Sequence, residues 1–171
     1  MLWRILLAIG SFLMLAAATA SAIGSVMDDS EGGVAGVSGA LSYLASGLTG
    51  FSGFLAAGRG VVRPREKAYV ISMNALFLLC LGAGFVIVLI NVLRELHVGA
   101  LLALGAALLI PIVNITSVVM LPIPSADGTT PGPSRAGGIA MGSIGGLLLA
   151  AIVLMAAMEI VLRVQIAAGA A

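Results

Sequence analysis

Charged side chains are scarce in this chain of 171 residues: Asp, Glu, Lys and Arg make up 9% of it, against 61% hydrophobic residues. A soluble domain normally carries about 25% charged residues. Because so little charge cannot cover a surface that faces water, a soluble globular fold is excluded. The net charge of +1 also provides no basic surface for nucleic acid.

Cysteine and histidine each occur once, as Cys80 and His97. A single cysteine excludes an internal disulfide and a multi-cysteine metal site, and a single histidine excludes a bis-histidine haem. His97 could still be one axial ligand of a haem or pigment, but its position in a short turn between two apolar runs favours an interfacial turn residue. We expect no catalytic site, bound metal or cofactor, since no nucleotide-binding loop, metal-ligand spacing or nucleophile–base pair is present.

The chain is rich instead in long uncharged stretches. No charge occurs in the 26 residues between Lys67 and Arg94, the 29 between His97 and Asp127, or the 23 between Arg135 and Glu159. A hydrocarbon core about 30 Å thick needs ~20 apolar residues per helix at a rise of about 1.5 Å. The sequence therefore predicts an all-α integral membrane protein that folds as a small polytopic bundle. The whole chain, 1–171, forms a single transmembrane domain, and the lipid bilayer is its predicted surrounding and partner.

Long apolar runs place four spans directly, at about 2–23, 68–93, 98–121 and 138–162. A fifth segment, 33–57, is uncharged but rich in Gly and Ser, and it is either a further span or a re-entrant or interfacial segment. The first run also fits a cleavable signal peptide, but we interpret it as a retained span. A Pro-rich linker at 122–137 separates the last two spans.

The distribution of basic residues favours five spans. Lys and Arg in short loops prefer the cytoplasmic side. With five spans and a cytoplasmic N-terminus, only Arg94 and Arg163 lie outside, whereas six basic residues lie inside: Arg4, Arg59, Arg63, Arg65, Lys67 and Arg135. We therefore predict this topology, with Arg59, Arg63, Arg65 and Lys67 close to lipid headgroups. The high content of Ala and Gly suggests a bacterial inner membrane.

Small residues recur every fourth position in two spans. The last span carries Gly138, Gly142, Gly146 and Ala150, and the fourth carries Gly99, Ala103 and Ala107. Such series allow close helix–helix approach in membranes. They predict packing faces, directed either at neighbouring helices of the bundle or at another subunit, although an Ala/Gly-rich chain also produces such spacings by chance.

Asn74 lies within the predicted third span and Asn114 within the predicted fourth. The short hairpin between these spans makes them antiparallel, so residues at equal depth have numbers that sum to about 190, and Asn74 and Asn114 meet this condition. We expect the two amides to face each other, because an amide in lipid needs a partner. Pro111 removes a hydrogen bond from the fourth span and Thr116 could satisfy a freed carbonyl. This region is either a polar clamp or part of a substrate pathway.

Glu159 is the one acidic residue inside a predicted span, and Arg163 follows it by one helical turn. An ion pair at this spacing that extends to the membrane surface explains both residues without a function. The alternative is a role in ion or proton coupling, since carboxylates within a membrane are candidates for it.

Together these features predict a non-catalytic structural or accessory subunit of a larger membrane protein complex, with other membrane subunits as partners. The alternative is a small transporter or channel, in that case a homo-oligomer, with a polar site around the helix break at Pro111. A membrane-embedded enzyme has the least support, because one histidine and one acid provide no acid–base pair at a useful spacing.

Overall fold

The computed structural model describes residues 1–27, 34–95, 98–124 and 133–169, and these ranges are helical apart from short connections. Their five helices are α1 (Leu2–Met27), α2 (Val34–Arg59), α3 (Pro64–Glu95), α4 (Val98–Met120) and α5 (Arg135–Gly169). The part of the chain so described contains no strand, so the predicted all-α class is confirmed there. His97 and half of the Pro-rich linker, residues 125–132 of 122–137, lie outside the described residues.

Four of the helices, α1, α2, α3 and α5, are long and apolar enough to cross a membrane. They support an integral membrane protein. The Gly/Ser-rich segment is among them, as a continuous helix of 26 residues. α4 has 23 residues, and the part of it whose side chains are described includes the apolar stretch Gly105–Met120.

The connection between α2 and α3 is determined by local sequence. Gly60 has a φ of 74°, and its N–H donates to the carbonyl oxygen of Ala56 at 2.9 Å. This left-handed backbone conformation ends α2, and glycine adopts it without the strain that a Cβ would cause. Pro64 begins α3, where its missing N–H costs nothing. The carboxylate of Glu66 reaches back to accept the N–H of Arg63 at 3.2 Å, which caps the first turn of α3.

The start of α5 is fixed in a similar way. The Ser134 hydroxyl accepts the N–H of Gly137 at 3.2 Å, the bond of an N-cap serine. The N–H of Ser134 donates to the Arg59 carbonyl at 2.9 Å, and that of Val62 donates to the Pro122 carbonyl at 3.1 Å. The two connections, α2–α3 and α4–α5, therefore lie together at one end of the bundle.

α1 lies at the centre of the arrangement, since it packs against α2, α4 and α5, while α3 packs mainly against α4. Two groups of buried side chains hold these helices together. One joins α1, α2 and α5 through Leu15, Ala18, Ala22, Ala40, Tyr43, Phe54, Ile152 and Ala156. The other lies nearer the end with the connections and includes Leu7, Ala56, Ala57, Val62, Val70, Val118 and Leu121.

Glycines of α2 permit the closest helix contacts. A Cβ on Gly50 would lie 2.8 Å from the backbone oxygen of Ser11 in α1. On the other side of α2, a Cβ on Gly58 would lie 2.5 Å from the carbonyl oxygen of Gly137 in α5. Both distances are shorter than a carbon atom tolerates, so the Gly-rich composition of α2 is what allows this helix to lie between its two neighbours.

Candidate functional site

A buried carboxylate joins three helices at the end of the bundle opposite the α2–α3 connection. Glu159 of α5 is 2% exposed. Its Oε1 accepts a hydrogen bond from the Ser25 hydroxyl of α1 at 2.5 Å, and its Oε2 accepts one from the Tyr43 hydroxyl of α2 at 2.6 Å. Each carboxylate oxygen thus has a donor on a different helix, and together they tie α1 and α2 to α5.

Arg163 completes this group from the next turn of α5. Its Nε lies 4.0 Å from Glu159 Oε1, and its Nη2 donates to the backbone oxygen of Ser25 at 3.5 Å. The sequence suggested a pair that extends to the membrane surface, but Arg163 is only 4% exposed. The reason is that α5 continues beyond Arg163 to Gly169 and that Ser25 of α1 lies against this turn, so the pair faces the bundle interior.

Two cavities border this polar group. One, of 280 Å³, has polar lining from Ser25, Glu159, Arg163 and Gln165. The other, of 310 Å³, lies between α1 and α2 and is lined by Tyr43 and by the serines Ser21, Ser25, Ser42 and Ser46. Ser25 is common to both cavities, so both border the buried group at the Ser25 side chain.

The roles of Ser25 and Tyr43 were not predicted from the sequence. The available signal was Tyr43, whose position in the middle of the predicted second span is unusual for an aromatic residue of the membrane interface. A buried tyrosine normally finds a partner for its hydroxyl. Neither the partner nor its location can be read from the spacing, because Tyr43 and Glu159 are 116 residues apart.

A second polar group lies deeper in the bundle, between α1, α3 and α4. Asn114 Nδ2 donates to Asn74 Oδ1 at 3.2 Å and approaches Met14 Sδ at 3.3 Å. Asn74 in turn donates from Nδ2 to the Val70 carbonyl at 2.8 Å. The two asparagines are no more than 1% exposed. The structure therefore brings together the amides that the hairpin register predicts to meet.

One acceptor in this group has no donor. Asn114 Oδ1 is buried and has no hydrogen-bond partner among the described residues. It points at Gly10 of α1, where an added Cβ would overlap it. The hydroxyls of Ser11 and Ser117 are likewise buried and unpartnered within the described ranges. Gly10 thus provides the space that lets the Asn114 amide enter the contact between α1 and α4.

Pro111 and Thr116 depart from the sequence interpretation. α4 is one continuous helix through Pro111, so the structure contains no break at this point. The Thr116 hydroxyl donates to the Ile112 carbonyl at 2.9 Å, whereas the carbonyl that Pro111 leaves free belongs to Ala107. Thr116 is also exposed, because it projects from the face of α4 opposite Asn114, and it does not join the polar group.

The small-residue series of α5 is only partly covered by the chain. A Cβ on Gly138 would lie 3.1 Å from Arg59 Cγ and one on Gly142 would lie 3.4 Å from Leu55, but one on Gly146 would have no atom within 4 Å. Ala150 is exposed. A four-residue spacing drifts by about 40° per turn around a helix of 3.6 residues per turn, which carries the series away from α2.

Gly145 occupies the covered position at that level of α5. A Cβ there would lie 3.0 Å from Phe51 and 3.1 Å from Phe54 of α2. In α4, Gly99 is exposed with open space beside it, and Ala107 is half-buried. The side chain of Ala103 lies outside what the structure describes.

Basic side chains at the connected end cap the helices. The Arg4 guanidinium of α1 donates to the Ala57 carbonyl at 3.2 Å and to the Gly58 carbonyl at 3.0 Å, in the last turn of α2. Lys67 Nζ donates to the Val119 carbonyl at 2.7 Å, at the end of α4. Positive groups stabilise the carbonyl end of a helix, so these residues act on the bundle itself.

The remaining basic residues of this end differ in exposure. Arg59 Nη2 forms an ion pair with Glu66 Oε2 at 2.8 Å. Arg63, Arg65 and Arg135 are exposed. Of the four residues predicted to lie near headgroups, Arg63 and Arg65 are thus exposed, while Arg59 and Lys67 have partners within the bundle.

Within the described ranges no group of three His, Cys, Asp or Glu side chains lies together in a way that could hold a metal ion. The described site residues interact through hydrogen bonds between helices and through an ion pair within α5. Comparison of the chain with protein-family models, with curated proteins and with solved structures found no match.

Proposed function

We propose that this protein is a non-catalytic structural subunit of a larger membrane assembly. The observation that carries the proposal is the use made of the buried polar groups. Glu159 is bound by side chains from two other helices, and Asn114 is bound to Asn74. Polar side chains that are hydrogen-bonded to neighbouring helices in this way fix the relative positions of those helices. Such a role suits a scaffold better than a reaction centre.

The face that would receive a partner is the uncovered part of the small-residue series on α5. Gly146 has open space beside it, and Ala150 is exposed. Small side chains let a foreign helix approach closely, where van der Waals contact and interhelical hydrogen bonds stabilise association. Other membrane subunits are the proposed partners, and a second copy of the chain is the alternative occupant.

Gly146→Leu tests the proposal, with Ala151→Leu as its matched control. Ala151 is exposed, and it lies about 7.5 Å along α5 and about 140° around it from Gly146, at about 1.5 Å and about 100° per residue. Both variants should fold, since neither added side chain meets the bundle. Purification in mild detergent followed by mass spectrometry should recover stoichiometric partner subunits with the native chain and with Ala151→Leu, but not with Gly146→Leu. Equal recovery from all three chains, or no partner with any, would contradict the proposal.

We further propose five spans with a cytoplasmic N-terminus. α4 has 23 residues, which at about 1.5 Å per residue is enough for a core about 30 Å thick. Six basic residues share the end that holds the start of α1 and the α2–α3 connection, and this asymmetry favours the cytoplasm for that end. A bacterial inner membrane is the proposed location, on composition alone.

A small transporter or channel is the second candidate, and one observation favours it. Asn114 Oδ1 is a buried acceptor without a donor in the described part of the bundle, as is common where a polar solute or ion passes between helices. Liposomes that contain only this chain should then support solute flux, and Asn114→Leu should abolish it. Absence of flux from correctly folded protein would remove this candidate.

A further inference from the structure

Two adjoining cavities lie at the connected end of the bundle, apart from the polar groups described above. One, of 260 Å³, is bordered by α1, the α2–α3 connection, the end of α4 and the residue before α5. The other, of 420 Å³, runs along α1 between α2 and α5. Met1 and Arg4 line both, so the two cavities meet at the Arg4 side chain.

The smaller cavity is basic, and its lining is the more polar of the two, although apolar side chains still form most of it. Its lining includes the side chains of Arg4, Arg59, Trp3 and Ser134, and none of its lining residues is acidic. Arg4 Nη1 has no hydrogen-bond partner among the described residues, so it can bind a ligand. Arg59 is already paired with Glu66 through Nη2, and its Nε is buried, so Arg59 contributes positive charge to the cavity rather than a free nitrogen. Guanidinium groups are the preferred partners of phosphate oxygens in proteins.

The larger cavity is apolar away from Arg4. It is lined by Ile5, Ala8 and Ile9 of α1, Ala57 of α2 and Met141 of α5. From residue 1 to residue 9 the helix rises about 12 Å, so this groove leads from the end of the bundle toward the level of the hydrocarbon core. Trp3 beside the junction is typical of the headgroup level of a membrane.

We propose that these two cavities form a binding site for one anionic phospholipid. The phosphate lies in the basic cavity against Arg4 and Arg59, and an acyl chain lies in the groove along Ile5 and Ile9. The charge of the polar cavity, the apolar character of the groove and their junction at one arginine match the two parts of such a lipid. A soluble phosphate compound has no acyl chain that could fill the groove.

Native mass spectrometry of the full chain tests this site. Delipidated protein in detergent is titrated with phosphatidylglycerol or with phosphatidylcholine of the same acyl chains. We expect one tightly held copy of phosphatidylglycerol and roughly tenfold weaker retention of phosphatidylcholine. Arg4→Gln should lower phosphatidylglycerol retention to the phosphatidylcholine level. The control Arg65→Gln removes the same charge from an exposed position at the same end that does not line the cavity, and it should change retention less than twofold.

Ile9→Trp provides a second variant, because Arg4 also caps α2 and its substitution could affect folding. Ile9 is 54% exposed, so a larger side chain narrows the groove and leaves every charge in place. It should lower phosphatidylglycerol retention several-fold. Glycerol 3-phosphate in millimolar excess should not displace the lipid. Equal retention of the two lipids, equal losses in Arg4→Gln and Arg65→Gln, unchanged retention in Ile9→Trp, or displacement by glycerol 3-phosphate would each overturn the proposal.

Discussion

The Tyr43 hydroxyl of α2 donates to Glu159 Oε2 of α5 at 2.6 Å, across 116 residues of sequence. Both residues are at most 4% exposed. Ser25 of α1 donates to the other carboxylate oxygen. A single carboxylate therefore connects the three helices that share the larger part of the apolar core. Its hydrogen bonds specify how these helices are rotated about their axes, which apolar packing between Ala-rich and Gly-rich faces specifies only weakly.

Tyr43→Phe should destabilise the bundle, because it leaves Glu159 Oε2 buried without its donor. Interhelical hydrogen bonds in membranes contribute about 0.6 to 2 kcal/mol, and we expect a loss of about 1 to 2 kcal/mol in the free energy of unfolding, measured by titration with dodecyl sulfate in mixed micelles. Tyr69→Phe is the matched control, since Tyr69 is 37% exposed, and it should change the free energy by less than about 0.5 kcal/mol. Equal effects of the two substitutions would contradict the role of Tyr43.

Arg163 and Glu159 should be energetically coupled. Removal of one member of a buried ion pair leaves the other charge uncompensated, at a cost of about 3 kcal/mol or more. Arg163→Met should therefore destabilise the protein strongly, and the double variant Glu159→Gln/Arg163→Met should be more stable than Arg163→Met alone. The native chain, Glu159→Gln, Arg163→Met and the double variant form a double-mutant cycle. The same unfolding titration on these four proteins measures the coupling free energy between the two side chains. Additive effects, within about 0.5 kcal/mol, would show that the two groups do not interact.

The Asn74–Asn114 contact could be predicted because it depends on one short hairpin. The turn fixes the relative depth of α3 and α4, and simple addition of residue numbers then pairs the two amides. The partners of Glu159 could not be predicted in this way. They come from α1 and α2, whose rotation and depth relative to α5 depend on the packing of the whole bundle.

The small-residue series of α5 shows a different limit of prediction from sequence spacing. Gly138, Gly142 and Gly146 are evenly spaced in sequence, but the helix repeat is shorter than four residues, so the series turns away from α2. Gly145, which is outside the series, lies against Phe51 and Phe54 instead. A spacing rule identifies small residues on one side of a helix, and only the position of the neighbouring helix decides which of them it covers.

Gly10→Ala should destabilise the protein because its Cβ would overlap Asn114 Oδ1. Overpacking of this kind typically costs about 1 to 3 kcal/mol. Gly24→Ala in the same helix is the control, since no atom lies within 4 Å of the added Cβ, and alanine should there be neutral or slightly stabilising. Thermal unfolding in detergent compares the two. The double variant Gly10→Ala/Asn114→Ala should lose less stability than the sum of its single substitutions, and strict additivity would contradict the proposed contact.

The two ends of the bundle should face opposite sides of the membrane, with the basic end in the cytoplasm. Cys80 is the native cysteine, and its replacement by alanine allows single cysteines to be placed at Arg65 and at Met27. Arg65 is exposed at the start of α3, and Met27 is 80% exposed at the far end of α1. In intact bacterial cells a charged, membrane-impermeant maleimide should label Met27→Cys and should label Arg65→Cys only after the membrane is permeabilised. The reverse pattern would place the basic end outside, against the preference of Lys and Arg for the cytoplasm. Labelling of both positions from outside would show that α2 does not cross the membrane, because α2 lies between Met27 and Arg65 in the chain.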